Sequence, residues 1–128
     1  MSDSHTPQKK DRSLQKALTN KIIDEYFDHS ESWLRAILRM CIFSMLPLDG
    51  KPALLIECPN QAVAKRLSRK TWPLQEVVPR LAGQCRSDRR VLICYFDGTQ
   101  GAWRCFDTNI NSWKPWENPQ TPTAPADN

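Results

Sequence analysis

The 128-residue sequence predicts an α+β fold, a small two-layer sandwich in which helices cover one face of a short sheet. Apolar residues recur at helical spacing early in the chain, and a continuous apolar run follows at residues 53–58. Later, a turn signal at residues 97–101 separates two segments with strand character. This mixture predicts the order α-α-β-α-β-β, which is typical of an α+β sandwich.

The first half of the chain predicts two helices. Residues 14–27 form the first, with an apolar stripe made of Leu14, Ala17, Leu18, Ile22, Ile23 and Phe27. Residues 33–45 form the second, whose apolar face is broad and which Pro47 ends. The turn signal Asp49-Gly50 then allows a brief strand at residues 46–48 to pair with the strand that follows.

The second half begins with the strand at residues 53–58. Pro59 stops this strand, and Asn60 is a strong N-cap for a helix that starts at Gln61. We predict that Pro73 begins a further helical segment, which Gly83 ends as a C-terminal cap. The last two predicted strands, residues 91–96 and 102–107, form a hairpin.

Positive charge is concentrated in one part of the sequence. Residues 61–90 hold eight of the eighteen basic residues and two of the fourteen acidic ones, a net charge of +6 against +4 for the whole chain. No carboxylate occurs in residues 61–75. Four cations at helical spacing share the side opposite the apolar stripe: Lys65, Arg66, Arg69 and Lys70.

Two interpretations of this cationic helix stay open. An ordinary solvated helix face carries lysine and arginine, but it usually mixes the signs of its charges. A face without acids is expected to bind phosphates or an acidic protein. Asn60 and Trp72 flank the cluster, and Trp72 either stacks on a base or covers the break between the two helical segments.

Two further tryptophans, Trp113 and Trp116, lie outside the predicted elements. They form a second predicted interface, or they fold back and cap the sheet. The sequence predicts a disordered tail at residues 1–13, one domain at residues 14–108, and an irregular to disordered tail at residues 109–128. Neither a signal peptide nor a membrane-spanning run is expected, so the chain is predicted to be soluble and cytoplasmic.

The cysteines predict neither a metal site nor a disulfide framework. Their number is odd at five, and no Cys-x-x-Cys pair occurs, which fits buried thiols in a reducing compartment. Cys58 lies at a helix entry, where the helix dipole favours a thiolate, but no histidine is near it in sequence to act as a base. We therefore predict no catalytic residue, no metal and no cofactor.

The strand at residues 54–58, the Pro59-Asn60 helix entry and the stripe that continues to Leu81 resemble a KH-like domain of the bacterial replication machinery. The likeness is to the N-terminal domain of the replication initiator DnaA, and to related domains of the helicase-loader family DciA and of the clamp-loader tau subunit. It covers residues 33–96, about half of the chain. Where the initiator often carries an exposed aromatic residue, this chain has Ala62.

The resemblance implies a non-enzymatic adaptor. Such a domain binds a replication protein of the helicase or initiator class and sometimes single-stranded nucleic acid. The chain has no Gly-x-x-x-x-Gly-Lys sequence, so an ATPase domain is not expected. The alternative is a protein-interaction module whose basic helix, residues 61–72, docks an acidic partner without any nucleic-acid role. Whether the chain forms homo-oligomers stays open.

Overall fold

The computed structural model describes residues 5–83 and 88–117, with side chains from Arg12 onward. Within these residues the order of elements is α-α-β-β-α-α-β-β-β. The helices are α1 (His5–Tyr26), α2 (Ser32–Leu38), α3 (Gln61–Ser68) and α4 (Thr71–Ala82). The strands are β1 (Ile42–Leu48), β2 (Lys51–Glu57), β3 (Val91–Asp97), β4 (Ala102–Asp107) and β5 (Ser112–Trp116).

The strands form one mixed sheet in which spatial neighbours are also neighbours in the chain. β1 pairs with β2, β3 with β4 and β4 with β5, all antiparallel. β2 and β3 run parallel. A parallel pair needs a long crossover connection, and α3 and α4 provide it. The α+β class predicted from the sequence is confirmed.

Each face of the sheet has its own buried cluster. On the helix face, strand residues such as Phe43, Ile56 and Ile93 pack against helix residues such as Ile23, Leu34, Leu67 and Leu74. The second face carries a smaller cluster. Its members are Leu46, Leu55, Leu92, Cys94 and Cys105, with Leu48, Trp103 and Trp116 packed against them.

The first helix provides a hydrogen-bond acceptor at the β1 edge of the sheet. The backbone N–H of Phe43 in β1 donates to the Thr19 hydroxyl at 2.9 Å, so this edge strand does not leave that donor unpaired. Lys16 donates to the carbonyl oxygens of Arg39 and Cys41, just before β1. These contacts attach α1 to the start of the hairpin.

Helix-capping residues define where the crossover helices begin and end. Asn60 has an extended backbone, and its side-chain oxygen accepts the N–H of Val63 at 2.9 Å, which confirms the predicted N-cap of α3. Gly83 ends α4 with a left-handed φ of 85°, as predicted for a C-terminal cap. α4 begins at Thr71, so Pro73 lies within its first turn, where the missing N–H breaks no helical hydrogen bond.

The predicted second helix was too long. α2 ends at Leu38, and the residues that follow form β1 rather than more helix. The apolar residues at 41–48 fit both periods, and pairing with β2 decides between them: Phe43 lies opposite Ile56, and Leu48 lies opposite Lys51. The strand predicted at residues 46–48 is therefore present but longer.

The predicted tails also need correction. α1 begins at His5, so residues 5–13 are helical, and the outer part of the predicted stripe is not core because Leu14 and Leu18 are exposed. At the other end, β5 adds a fifth strand within the segment predicted to be irregular. The turn before it places Asn111 at a φ of 51°. Residues 118–128 lie outside the described residues.

Candidate nucleic-acid interface

The predicted basic cluster lies on α3 and at its junction with α4. Val63, Ala64 and Leu67 are buried and fix the inner face of α3. The side chains on the opposite side therefore point to solvent. All members of this cationic patch are exposed: Lys65, Arg66, Arg69, Lys70 and Trp72.

Two of the four cations have partners in the same molecule. The Arg66 guanidinium lies 4.6 Å from the ring centre of Trp33, in a cation–π contact. The Lys70 ammonium lies 3.3 Å from a carboxylate oxygen of Glu31. Both partners of that ion pair are about half exposed, and such pairs contribute at most about 1 kcal/mol. An incoming anion can therefore compete for Lys70 at little cost.

The other two cations are not neutralised within the described residues. Neither Lys65 nor Arg69 has a carboxylate within ion-pair distance there. Lys65 lies on α3, and Arg69, four residues further on, is the C-cap residue of that helix. The sequence predicted a cationic stripe that faces solvent. Lys65 and Arg69 are the two members of that stripe that have no ion-pair partner or cation–π contact among the described residues.

Trp72 stands out among the aromatic side chains of the described chain. It is 70% exposed, although it occupies the first turn of α4, directly after Lys70 and Thr71. Burying a large aromatic ring is strongly favourable, so a ring left in water is available for a partner. The interpretation in which Trp72 covers the helix break is wrong.

Asn60 has a structural role. Its side-chain oxygen is the N-cap acceptor for Val63, although the residue is exposed. Its predicted part in binding a partner stays a prediction.

Three of the four remaining cations of residues 61–90 have contacts elsewhere in the molecule. Arg80 lies over the ring of Tyr26 at 5.8 Å, and Arg89 lies 3.6 Å from Glu76. Arg90, directly before the central strand β3, pairs with Asp107 at the end of β4, and Arg86 lies outside the described residues. The net charge of the segment therefore overstates the charge offered to a ligand.

Arg90 belongs to a buried ion cluster that the sequence did not reveal. It lies 2.7 Å from Asp107, whose other cation, Lys114, lies at 2.8 Å. The Asp107 carboxylate also accepts the backbone N–H of Asn109 at 2.9 Å and is fully buried. Burial alone would raise the pKa of Asp107, but the hydrogen bonds from Arg90 and Lys114 lower that pKa to about 2.

The two C-terminal tryptophans do not form one interface. Trp113 packs on the helix face, with ring centres 5.7 Å from Tyr95 and 5.4 Å from Phe106. Trp116 packs against the second face instead. Because side chains of a strand alternate, residues three apart must point to opposite faces.

Cys58 is not an activated thiol. It is 6% exposed, and its sulfur lies 3.8 Å from that of Cys41. The hydrogen bond with Cys41, together with burial, raises the pKa of Cys58, which is opposite to the effect expected at a helix entry. Among the described residues, no group of three histidine, cysteine or carboxylate side chains is placed to hold a metal ion.

Comparison with known proteins identifies no relative, since no family model, curated protein or solved structure matches this chain. None of the helices described is both long enough and apolar enough to cross a membrane. The fold defines a small α+β domain, and the cationic patch is the feature that points to its function.

Proposed function

We propose that this chain is a non-enzymatic adaptor whose cationic patch binds single-stranded nucleic acid. One observation carries the proposal: Lys65 and Arg69 are exposed without a carboxylate partner among the described residues, and the 70%-exposed Trp72 follows closely in the chain. Cations neutralise phosphates, and an exposed indole stacks on a base. These are the two contacts by which single strands are commonly held.

The resemblance to the DnaA N-terminal domain extends the proposal. It implies a second partner, a replication protein of the helicase or initiator class, and a bacterial cytoplasmic setting. The replication partner and the bacterial setting are inferred from the sequence likeness. The buried free thiols of the described chain, Cys41, Cys58, Cys94 and Cys105, are compatible with a reducing cytoplasm.

Charge reversal at the patch tests the electrostatic half of the proposal. The double variant K65E/R69E should bind a labelled single-stranded oligonucleotide at least tenfold more weakly at about 0.1 M salt, measured by fluorescence anisotropy. If all four cations meet phosphates, the wild-type log–log salt slope should be about −3. The variant slope should be shallower by about 1.4, because each single-strand phosphate contact contributes about 0.7.

A matched control separates the effect of the cationic patch on affinity from the effect of net charge. Lys21 and Lys51 are also exposed and have no ion pair in the described part of the chain. The variant K21E/K51E changes the net charge equally and should keep most of the affinity. Equal losses of affinity in the two variants would show only a general electrostatic attraction between the protein and the oligonucleotide. Retained binding to an acidic protein with no wild-type oligonucleotide binding would favour the alternative interaction module.

Removing the indole of Trp72 tests the stacking half. W72A should weaken single-strand binding by about 1 to 3 kcal/mol while the salt slope stays unchanged, because the lost contact is not ionic. W72F should recover part of the affinity. The free energy of unfolding should change little, since the ring is 70% exposed. If W72A binds as tightly as wild type, Trp72 has no part in the interface.

A further inference from the structure

Arg66 differs from the other three cations of the patch in what it contacts. Its guanidinium lies over the ring of Trp33, 4.6 Å from the ring centre, although Arg66 itself is exposed. Lys70 pairs with a carboxylate instead, and Lys65 and Arg69 have neither kind of contact in the described part of the chain. Guanidinium groups stack on aromatic faces, which leaves the opposite face of the guanidinium open to a ligand.

The start of α2 keeps this contact in place. Trp33 is partly buried and packs against the main core, so its ring is fixed by the fold. Glu31, the residue before α2, makes no side-chain hydrogen bond to its own helix, and its carboxylate lies 3.3 Å from the Lys70 ammonium. Two contacts therefore join the start of α2 to the cationic patch, and the Arg66 guanidinium is positioned before a ligand binds.

A guanidinium positioned in this way favours a base over a phosphate. Unpaired bases stack on arginine guanidinium planes as they do on aromatic rings, and a guanidinium is less strongly hydrated than an ammonium. A phosphate bound by Arg66 competes with the Trp33 contact, whereas a base on the open face of the guanidinium leaves that contact intact. Lys65 and Arg69 can bind phosphates without losing any ion pair or ring contact of the described chain.

We propose that Arg66, supported by Trp33, is a second base-stacking position of the interface, in addition to Trp72. This inference rests on the proposed function and narrows the ligand to a strand with at least two unpaired bases. Arg66 and Trp72 are six residues apart in the chain. Their Cα atoms therefore lie within about 22 Å of each other, so one strand can reach both positions. Bases inside a duplex are stacked on their neighbours, so a duplex cannot make these contacts.

The test compares a strand that has bases with one that lacks them. A single-stranded oligonucleotide of about 12 nucleotides and an abasic strand of the same length offer the same phosphates, and anisotropy titration measures both. R66K keeps the positive charge and removes the planar guanidinium. It should weaken binding of the base-containing strand at least fivefold, roughly the smallest contribution of one stacked base, and change abasic binding less than about twofold. The salt slope should stay unchanged, because no charge is lost.

R80K is the matched control. Arg80 is also exposed and also lies over a ring, that of Tyr26 at 5.8 Å, but it is in the last turn of α4 and Trp72 is in the first. R80K makes the same chemical change outside the patch and should alter the affinity for either strand less than about twofold. In the wild-type chain, the side-chain Nε–H NMR signal of Arg66, assigned by its loss in R66K, should shift with the base-containing strand much more than with the abasic strand.

The possible outcomes separate this inference from the proposed function. Equal losses for the two strands in R66K would overturn the inference, since Arg66 would then be a phosphate contact. An R66K variant that binds the base-containing strand as tightly as R80K does would overturn it as well. In both cases the proposed function stands if K65E/R69E still weakens wild-type binding. A wild-type chain that binds neither strand would remove the proposed function and this inference together.

Discussion

Two pairs of cations in this molecule have the same chemistry but differ in whether a carboxylate neutralises them. Lys65 on α3 and Arg69 at its C-cap are exposed to water, without a carboxylate partner in the described part of the chain. Arg90 and Lys114 converge on the buried Asp107 at 2.7 and 2.8 Å. The first pair is available to a ligand, and the second is used to hold the sheet together.

The difference shows what decides the role of a cation. Arg90 contributes to the same net charge of residues 61–90 as Lys65 does, yet only Arg90 meets a carboxylate from a distant strand. Burial makes that pairing obligatory, because an unpaired charge in the interior is costly. A charge at the surface carries no such requirement, so Lys65 and Arg69 can remain without an ion-pair partner.

The largest expected effect comes from removing the buried carboxylate. D107A should lower the free energy of unfolding by about 3 to 5 kcal/mol, because Lys114 would be left without its partner in a part-buried site and Arg90 would keep only its ion pair with the exposed Asp49. Urea denaturation followed by circular dichroism measures this. D28A removes an exposed carboxylate and should change stability by no more than about 0.5 kcal/mol. Equal effects in the two variants would contradict the assigned role of Asp107.

Lowering the pH should also reduce the free energy of unfolding that Asp107 contributes, by less than the D107A substitution does. The pKa of Asp107 is lowered from 3.8 to about 2 in the folded chain, so its contribution is complete above about pH 4. It is lost as the pH falls through 2, with a total of about 2 kcal/mol. The stability difference between wild type and D107N should therefore shrink between pH 5 and pH 2. A constant difference would mean that the cations do not lower this pKa.

The smallest expected effect lies at the patch itself. E31Q removes the carboxylate 3.3 Å from Lys70 and should raise single-strand affinity about two- to fivefold, since less than about 1 kcal/mol of ion pairing is released. Anisotropy titration at low salt measures it. E25Q alters another exposed carboxylate and should raise affinity less. An E31Q variant that binds no better than E25Q would place Lys70 outside the interface.

Local signals in the sequence predicted the crossover well. Asn60 and Gly83 carry their own capping chemistry, and the apolar run of β2 has a clear start and stop. These features depend on near neighbours only. The outward direction of Lys65 follows in the same way from the buried stripe of α3.

Features decided by distant contacts could not be predicted. The apolar segment after Leu38 becomes β1 because β2 pairs with it, and β5 forms despite Pro115 because β4 offers an edge. The exposure of Trp72 and the pairing of Arg90 with Asp107 also depend on the assembled fold. A sequence window counts charges but contains no information about which of them are already paired.

The parallel pairing of β2 with β3 has a consequence for how the molecule assembles. Every other strand pair joins segments separated by a short turn, so each can form early from nearby chain. The β2–β3 seam instead requires the chain to close a connection that runs from Glu57 to Val91. We expect this seam to form last during refolding. Its amides, including that of Cys58 bonded to Cys94, should then gain protection from hydrogen exchange after those of the β3–β4 hairpin.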